Sequence, residues 1–237
     1  MRVAEGSSIS FAACGFHYSW YFGVALHLQQ NYDLTCVRFL GSSAGSAVAA
    51  LLAMDVSIEE VLSDWYEEVF AILERIPYAG KVSAHNAVLH SVFSRRLDAW
   101  DRRAYTRATG RLFISVFSLE HAGRLVSTFT SNADILDTVL ASCHVPCVTH
   151  SGLLYQSGRH GKCIDGVLQA PSPSLSSDTL RLWPYRWSPW RCWVYPLTML
   201  LPLDRRQMRK YVDLGLHESR LHDDQFHRHG VPKRSRL

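Results

Sequence analysis

The sequence lacks any apolar run long enough to cross a bilayer, which in a helix takes ~20 consecutive residues. Its opening residues, MRVAEGSSIS, also lack the apolar segment of a secretory signal peptide. We therefore expect an intracellular, cytoplasmic protein that is soluble or associates with membranes only peripherally.

The sequence also lacks a large excess of positive or negative charge, because the formal net charge is +4 over 237 residues. A charge this small does not indicate a nucleic-acid partner, although it suits an anionic lipid surface. We expect no binding of nucleic acid.

Paired cysteines are missing, since none of the six cysteines belongs to a Cys-x-x-Cys motif. They stand at positions 14, 36, 143, 147, 163 and 192. We interpret them as buried free thiols in a reducing compartment. Cys143 and Cys147, with His144 and His150 nearby, leave a zinc site as the less favoured alternative, because the paired ligand spacing is absent.

Apolar strands and helices alternate in the first part of the chain. With 237 residues, 47% of them apolar, the chain suits one domain with a sizeable core. Segments 9–16 and 35–40 are typical of buried strands, and segments 19–30 and 43–54 of helices. The order strand, helix, strand, helix predicts an α/β fold with a parallel sheet.

Periodicity and turn residues predict the elements further along the chain. These are helices over 57–75 and 84–108, a hairpin over 111–129, a helix capped by Asn132 that ends before Pro146, a hairpin over 153–165, and an amphipathic helix over 203–221. Ser57 and Glu60 form a capping box at the start of the first of these helices.

Two late segments have unusual compositions. Residues 180–196 contain four of the seven tryptophans and fit a packed core element, a membrane-contacting surface or a poorly packed region. Residues 222–237 are rich in His and Arg, and we expect a disordered, solvated tail there, with weak membrane attraction as the alternative.

A small-residue box, Gly41-Ser42-Ser43-Ala44-Gly45, joins the second predicted strand to the next helix. A nucleophilic serine needs such a sharp turn, because the turn holds the side chain away from the backbone while glycines allow close approach. Ser43 is then the candidate nucleophile, and the Ala44 amide, at a helix N-terminus, is a candidate oxyanion donor. The same pattern serves helix packing or phosphate binding, so the box alone leaves the function open.

A base must accompany such a serine. In a Ser-His-Asp triad the base would be a histidine near the C-terminal end. The available histidines are His217, His222, His227 and His229. Most of them lie in or beside the predicted tail, which is a poor mount for a general base, so this alternative is the weaker one.

Three motifs taken together resemble a known family. SFAACGF at residues 10–16, GSSAG at 41–45 and CIDG at 163–166 are similar, in this order, to the motifs of the patatin-like phospholipase family. Residues 111–146 and 201–219 also resemble the small animal branch that includes adipose triglyceride lipase and retinyl-ester hydrolases. The resemblance covers most of the chain.

The resemblance implies a fold and an activity. The fold would be a patatin-like three-layer α/β/α sandwich around a mainly parallel sheet, over residues 1–221. The activity would be lipid acyl-ester hydrolysis, of triacylglycerol, phospholipid or retinyl ester, through an acyl-serine intermediate. An acceptor alcohol would turn the same chemistry into transacylation. Implied partners are the lipid ester and a membrane or lipid-droplet surface, with no cofactor and no metal.

The resemblance also implies the site residues. Ser43 would be the nucleophile, Asp165 its partner in a Ser-Asp dyad, and Gly166 part of the aspartate motif. Gly41 and Gly45 would flank the nucleophile turn. The oxyanion hole would combine the Ala44 amide with amides of the N-terminal loop, namely Cys14, Gly15 and Phe16.

This chain departs from the family pattern at three positions. Tyr18 stands where the family usually has glycine, Val167 follows Asp165-Gly166 in place of glycine or alanine, and Ala170 replaces a polar residue. Tyr18 and Val167, together with a segment over 174–200 that looks shorter than its counterpart in the family, motivate an alternative hypothesis. In it, the patatin-like fold is a lipid- or partner-binding module with little turnover.

Overall fold

A computed structural model of the protein describes residues 6–77, 80, 84, 94, 101–146, 148–149, 152–184, 186–187 and 198–235. Its strands form one sheet. They are β1 (Ser8–Phe11), β2 (Arg38–Gly41), β3 (Leu112–Ser118), β4 (Ala122–Val126), β5 (Tyr155–Ser157), β6 (Gly161–Ile164) and β7 (Leu180–Leu182).

Helices surround the sheet. They are α1 (Tyr18–Asn31), α2 (Ala44–Ala53), α3 (Ile58–Asp64), α4 (Phe70–Leu73), α5 (Ala104–Ala108), α6 (Asn132–Ser142), α7 (Arg205–Leu221) and α8 (Asp223–Arg228). A π-helical stretch, Trp65–Val69, joins α3 to α4, and short 3-10 turns span Gly15–His17 and Gly166–Leu168.

The sheet is mixed. Strands β7, β1, β2 and β3 lie side by side and run parallel, as expected for strands joined by helices. Strands β4 and β6 pair antiparallel with β3, and β5 pairs antiparallel with β6. The predicted α/β class is confirmed, and the parallel arrangement that the sequence predicts holds for one half of the sheet, while the two hairpins make the other half antiparallel.

One edge of β3 is shared by two strands. Strand β4 pairs with β3 from Ile114 to Ser118, so it occupies one edge there. Strand β2 pairs with β3 up to Ile114 and β6 begins at Phe117, so both lie on the opposite edge. Because β2 runs parallel and β6 antiparallel to β3, their C-terminal ends point toward each other across Ser115 and Val116.

The core covers both faces of the sheet. All residues of β1 are buried although successive side chains point to opposite faces, which is the burial that a three-layer arrangement requires. Helix α1 also packs closely on α7, because a Cβ on Gly23 would lie 2.1 Å from the Val212 carbonyl oxygen. The indole N–H of Trp20 donates to Glu218 at 2.8 Å and joins the two helices.

The C-terminal segment differs from the predicted solvated tail. Residues 223–228 form α8, and both Phe226 and Val231 are buried. Beyond α8 the chain returns to the end of α1, where the Arg234 amide donates to the Asn31 carbonyl at 3.0 Å. Apolar residues are too sparse in this segment to give a periodic pattern. The sequence therefore indicated a polar segment and gave no signal for a helix or for buried side chains.

Two smaller differences concern element boundaries. Helix α6 is capped by Ser131, whose hydroxyl accepts from the Asp134 amide, and the predicted cap, Asn132, is the first helical residue. Strand β7 was not predicted, because its Leu-Arg-Leu is too short to give a pattern of its own. Backbone pairing with β1 stabilises this short strand.

The described cysteines are free thiols. Cys14 and Cys163 are buried as predicted and Cys143 is partly buried, whereas Cys36 is exposed, so the prediction of burial was wrong there. Several predictions fall outside the described residues, namely those on Cys147, Cys192, His150, Trp190, Trp193 and most of the helix over 84–108. Across the described ranges, no helix combines the length and apolarity needed for a transmembrane span.

Candidate active site

The turn between β2 and α2 holds Ser43 in a strained conformation. Ser43 has φ +50° and ψ −136°, in a region that residues other than glycine rarely adopt. Such a conformation costs about 1–3 kcal/mol and persists only where the surroundings impose it. A turn of this kind places a serine side chain at the tip of a strand-to-helix connection.

The two glycines of the box are required by close packing. A Cβ on Gly41 would lie 2.4 Å from the Ser46 Cα, and a Cβ on Gly45 would lie 2.3 Å from the Phe11 carbonyl oxygen. The Ser42 amide donates to the same Phe11 carbonyl at 3.2 Å. The first turn of α2 therefore sits directly against the end of β1, where a side chain has no room.

The structure brings Ser43 and Asp165 into direct contact. Asp165 follows β6, and Ser43 follows β2, so the two residues meet where the ends of these strands point toward each other along β3. The Ser43 Oγ donates to Asp165 Oδ2 at 2.7 Å, and the Val167 amide donates to Oδ1 at 2.8 Å. Both side chains are buried, with 7% of Ser43 and 4% of Asp165 exposed.

Burial makes the Asp165 carboxylate unusually basic. Desolvation raises its pKa to about 6, while the hydrogen bonds from the Val167 amide and the Ser43 hydroxyl act in the lowering direction. A carboxylate with this pKa is ionised at pH 7 and is a better proton acceptor than an exposed aspartate. The arrangement can accept the proton of Ser43.

The N-terminal loop that follows β1 lies beside this pair. Gly15 has φ +52°, and a Cβ there would lie 2.1 Å from the Met199 carbonyl oxygen. The Phe16 amide donates to that carbonyl at 2.7 Å, so of the predicted oxyanion donors Phe16 is already engaged. Within the described residues, the amides of Cys14, Gly15 and Ala44 have no hydrogen-bond acceptor.

The residues that depart from the family pattern fit the backbone. Tyr18 begins α1 with φ −55°, an ordinary helical value, and its ring packs edge-on against Phe22. Val167 is not among the described residues with positive φ, so its β-branched side chain meets no backbone conflict. The Ala170 amide closes the turn by donating to the Gly166 carbonyl at 3.1 Å.

Three of the four C-terminal histidines have partners away from Ser43, and the fourth is exposed to solvent. His222 stacks on Trp187, His227 lies 3.8 Å from Asp223, and His229 contacts the Asp178 carbonyl. His217 is exposed on α7. Among the described residues, Ser43 Oγ pairs with a carboxylate rather than with any of these histidines. The part of the chain that the structure describes contains no cluster of three or more metal ligands.

Two buried serines beside the pair were not found by sequence reasoning. Ser142 lies at the end of α6, and its hydroxyl accepts a hydrogen bond from the Ser43 amide. Ser115 lies on β3, and its hydroxyl donates a hydrogen bond to the Gly166 carbonyl. Each is a single serine in an ordinary helix or strand pattern, so the sequence offers no local signal for either. Only the contacts among segments that lie far apart in the chain reveal them.

A serine on a strand-to-helix turn, hydrogen-bonded to a carboxylate within an α/β fold, is an arrangement on which acyl-transferring serine enzymes are built. The family profile described as patatin-like phospholipase matches residues 9–176, well over half of the chain. The protein therefore belongs to the patatin-like phospholipase family, whose members are lipid hydrolases and acyltransferases.

Two human relatives agree with this assignment. Patatin-like phospholipase domain-containing protein 4 of Homo sapiens is 32% identical over 173 residues, which are 71% of this chain and 67% of that protein. Omega-hydroxyceramide transacylase of Homo sapiens is 28% identical over 171 residues, which are 70% of this chain but only 31% of that protein. VipD from Legionella pneumophila aligns with a TM-score of 0.44 at 11% identity, over 73% of this chain and 48% of that structure.

Proposed function

We propose that the protein is a serine lipid acyl-ester hydrolase in which Ser43 is the nucleophile and Asp165 the general base. The observation that carries this proposal is the 2.7 Å hydrogen bond from Ser43 Oγ to Asp165 Oδ2, made by a serine in a strained turn and a carboxylate with a raised pKa. Covalent catalysis by serine needs a base in contact with the hydroxyl and a sharp turn that holds the nucleophile away from its own backbone.

The proposed reaction has two halves. Asp165 takes the proton of Ser43 as Oγ attacks the ester carbonyl carbon, and the oxyanion accepts hydrogen bonds from the Ala44 amide and from Cys14 or Gly15. When the intermediate collapses, the carbon–oxygen bond to the alcohol breaks and Asp165 returns the proton to that alcohol. The product of this half is acyl-Ser43.

The acyl group then leaves on a second nucleophile. Water activated by Asp165 gives a free acid, and an acceptor alcohol gives a new ester by the same steps in reverse order. Transacylation is thus a second outcome of the same site, and the similarity to a protein named omega-hydroxyceramide transacylase favours testing it.

A lipid substrate is supported by the surface beside the site. Val167 and Leu168, which follow Asp165 and Gly166, are 38% and 58% exposed, so an apolar rim borders the carboxylate. Exposed apolar residues next to a buried reactive pair favour an acyl chain over a polar ester. We propose that the ester is reached from a membrane or lipid-droplet surface, to which the chain attaches peripherally.

A fluorophosphonate probe, which phosphonylates activated serines, tests the assignment. The wild type should be labelled, Ser43→Ala should not be labelled, and Asp165→Asn should be labelled at least ~100-fold more slowly, because general base catalysis contributes about that much. Ser219→Ala, which removes a buried hydroxyl on α7, is the matched control and should be labelled like the wild type.

Two results would decide against the proposal. A wild type that is folded by circular dichroism yet unlabelled favours the binding-module hypothesis. Loss of labelling in His217→Ala or His222→Ala, with retention in Asp165→Asn, favours a histidine base instead.

A further inference from the structure

A chain of buried hydroxyls joins the backbones on the two sides of the Ser43–Asp165 hydrogen bond. The Ser43 amide donates to Ser142 Oγ at 2.9 Å, and Ser142 Oγ donates to the Ser115 carbonyl at 2.7 Å. The Ser115 Oγ in turn donates to the Gly166 carbonyl at 2.9 Å. Ser115 and Ser142 are both fully buried.

We propose that Ser142 is a positioning residue that holds the Ser43 backbone in its left-handed turn and, with Ser115, fixes the loop that carries Asp165. The proposal rests on the proposed function, because positioning matters only if Ser43 and Asp165 react together. Neither serine touches the reacting atoms, so both act through the two residues that do.

The direction of each hydrogen bond is fixed. A hydroxyl has one proton, and the Ser142 proton is directed to the Ser115 carbonyl. Its lone pair therefore faces the Ser43 amide, which donates to it. Removing the hydroxyl leaves that amide and that carbonyl buried with one partner fewer, and each unsatisfied buried group costs about 1–3 kcal/mol.

The position of the Ser43 amide is what sets the turn. With φ +50°, Ser43 is in a conformation that its neighbours must impose, and an anchored N–H resists relaxation of that angle. The anchor also commits the Ser43 amide to Ser142. Of the two neighbouring amides in this turn, the Ala44 amide is then the one left to donate a hydrogen bond to an oxyanion.

The loop that carries Asp165 rests on the same two serines. A Cβ on Gly166 would lie 2.1 Å from the Ser115 carbonyl oxygen and 2.7 Å from Ser142 Oγ. This contact lies at the gap between the ends of β2 and β6, where Ser115 has no strand neighbour on that edge. The Ser142 side chain fills this gap. The ends of β2 and β6 are therefore held together through a side chain rather than through backbone hydrogen bonds between strands.

Ser142 differs from an ordinary helical serine. Helical serines commonly donate to a carbonyl of their own helix, as Ser219 does to Gly215 at 2.7 Å. The Ser142 hydroxyl instead leaves α6 and reaches β3 and the nucleophile turn. Ser219 is equally buried, so Ser219→Ala matches Ser142→Ala in chemistry and burial but not in position.

The test compares fluorophosphonate labelling rates, across pH 5 to 9, in the wild type, Ser142→Ala, Ser115→Ala and Ser219→Ala. Urea denaturation of each variant gives the folded fraction to which the rates are normalised. We expect Ser142→Ala to label on the order of 10- to 100-fold more slowly, because displacements of about 1 Å have effects of that size. Ser219→Ala should match the wild type.

The midpoint of the pH profile separates positioning from loss of stability. The hydrogen bond from Ser43 lowers the Asp165 pKa, so loosening it should move the acid limb of the profile upward from about 6. The thiols of Cys14 and Cys143 also interact with Asp165, but burial raises the pKa of each, so they stay neutral in this range. An unshifted midpoint in both Ser142→Ala and Ser115→Ala overturns the proposal.

Amide hydrogen exchange provides a readout that needs no activity. The Ser43 amide should exchange faster in Ser142→Ala than in Ser219→Ala, and it should stay protected in Ser115→Ala, where its acceptor remains. If the wild type is not labelled, the proposed function fails, and this exchange pattern alone decides whether Ser142 holds the turn. Equal exchange in Ser142→Ala and Ser219→Ala overturns the proposal.

Discussion

Asp165 shows, at the scale of one residue, how a reactive site and stability oppose each other. An unfolded aspartate has a pKa of ~3.9, whereas burial raises the pKa of Asp165 to about 6. The folded chain therefore binds a proton more tightly than the unfolded chain does between these two values. Stability falls as the pH rises from about 4 to about 6, because the unfolded chain releases its proton in this window while the folded chain retains it.

Replacing Asp165 by Asn should consequently stabilise the protein more at high pH than at low pH. The asparagine is neutral throughout, so the difference in unfolding free energy between Asp165→Asn and the wild type should grow by about 2 kcal/mol from pH 4 to pH 8. Loss of one of the two acceptor oxygens adds an offset that does not depend on pH. Urea denaturation at several pH values measures the difference.

The exposed Asp178 provides the control for that measurement. Asp178→Asn removes the same charge from the surface, and it corrects for the general effect of net charge on stability. A difference for Asp165→Asn that stays constant from pH 4 to pH 8 would show that the carboxylate is not shifted by burial.

At the scale of one element, the position of α2 depends on the absence of side chains at its start. The helix begins directly after Ser43 and presses on the end of β1, where Gly45 meets the carbonyls of Phe11 and Ala12. Intrinsic helix propensity favours alanine over glycine by about 1 kcal/mol, so only packing explains a glycine here.

Gly45→Ala should therefore destabilise the fold despite the better helix former. A Cβ placed 2.3 Å from the Phe11 oxygen forces α2 away from β1, at a cost of about 1–3 kcal/mol for an overpacked site. We also expect labelling of Ser43 to decrease, because the turn moves with the helix. Thermal denaturation and probe labelling measure the two effects.

Gly158→Ala is the matched substitution for this prediction. A Cβ on Gly158 meets no atom within 4 Å, so the change should alter the unfolding free energy by less than about 0.5 kcal/mol. If the two alanine variants were equally stable, close packing would not be the reason for Gly45.

At the scale of the whole molecule, the C-terminal segment closes the fold onto α1. Asp223 accepts hydrogen bonds from Tyr32 at 2.6 Å and from His27 at 2.8 Å, and it pairs with Lys233 at 3.0 Å. These bonds lower the pKa of Asp223 to about 2 although desolvation acts in the opposite direction. The ring of Phe226 fills the space beneath them, beside His27 and Tyr32.

Phe226→Ala should accordingly be among the more damaging substitutions outside the site. Removing a fully buried phenylalanine leaves a cavity and costs about 3–5 kcal/mol. A lower urea midpoint with an unchanged slope would report the loss. Arg228→Ala, on the exposed side of the same helix, removes only a surface pair with Asp224 and should cost at most about 1 kcal/mol. A solvated tail would instead make the two variants alike.

Local patterns predicted much of the fold. Most of the described elements, such as α2, α7 and the β3–β4 hairpin, lie within one to three residues of the predicted segments, because their apolar periodicity or turn residues are strong. Predictions failed where the signal was short or indirect. Strand β7 has only three residues, and α8 is stabilised by contacts with α1 that no local pattern records.

Sequence alone determined the types of group available here: a serine between glycines at a strand-to-helix turn, and an aspartate before a glycine after a hairpin. Motif order then indicated the family. Tertiary structure decided that β2 and β6 end against one edge of β3, which brings Ser43 within hydrogen-bond distance of Asp165. It also decided the raised pKa of Asp165 and the contacts of Ser142, because burial and hydrogen bonding depend on atoms that lie far apart in the chain.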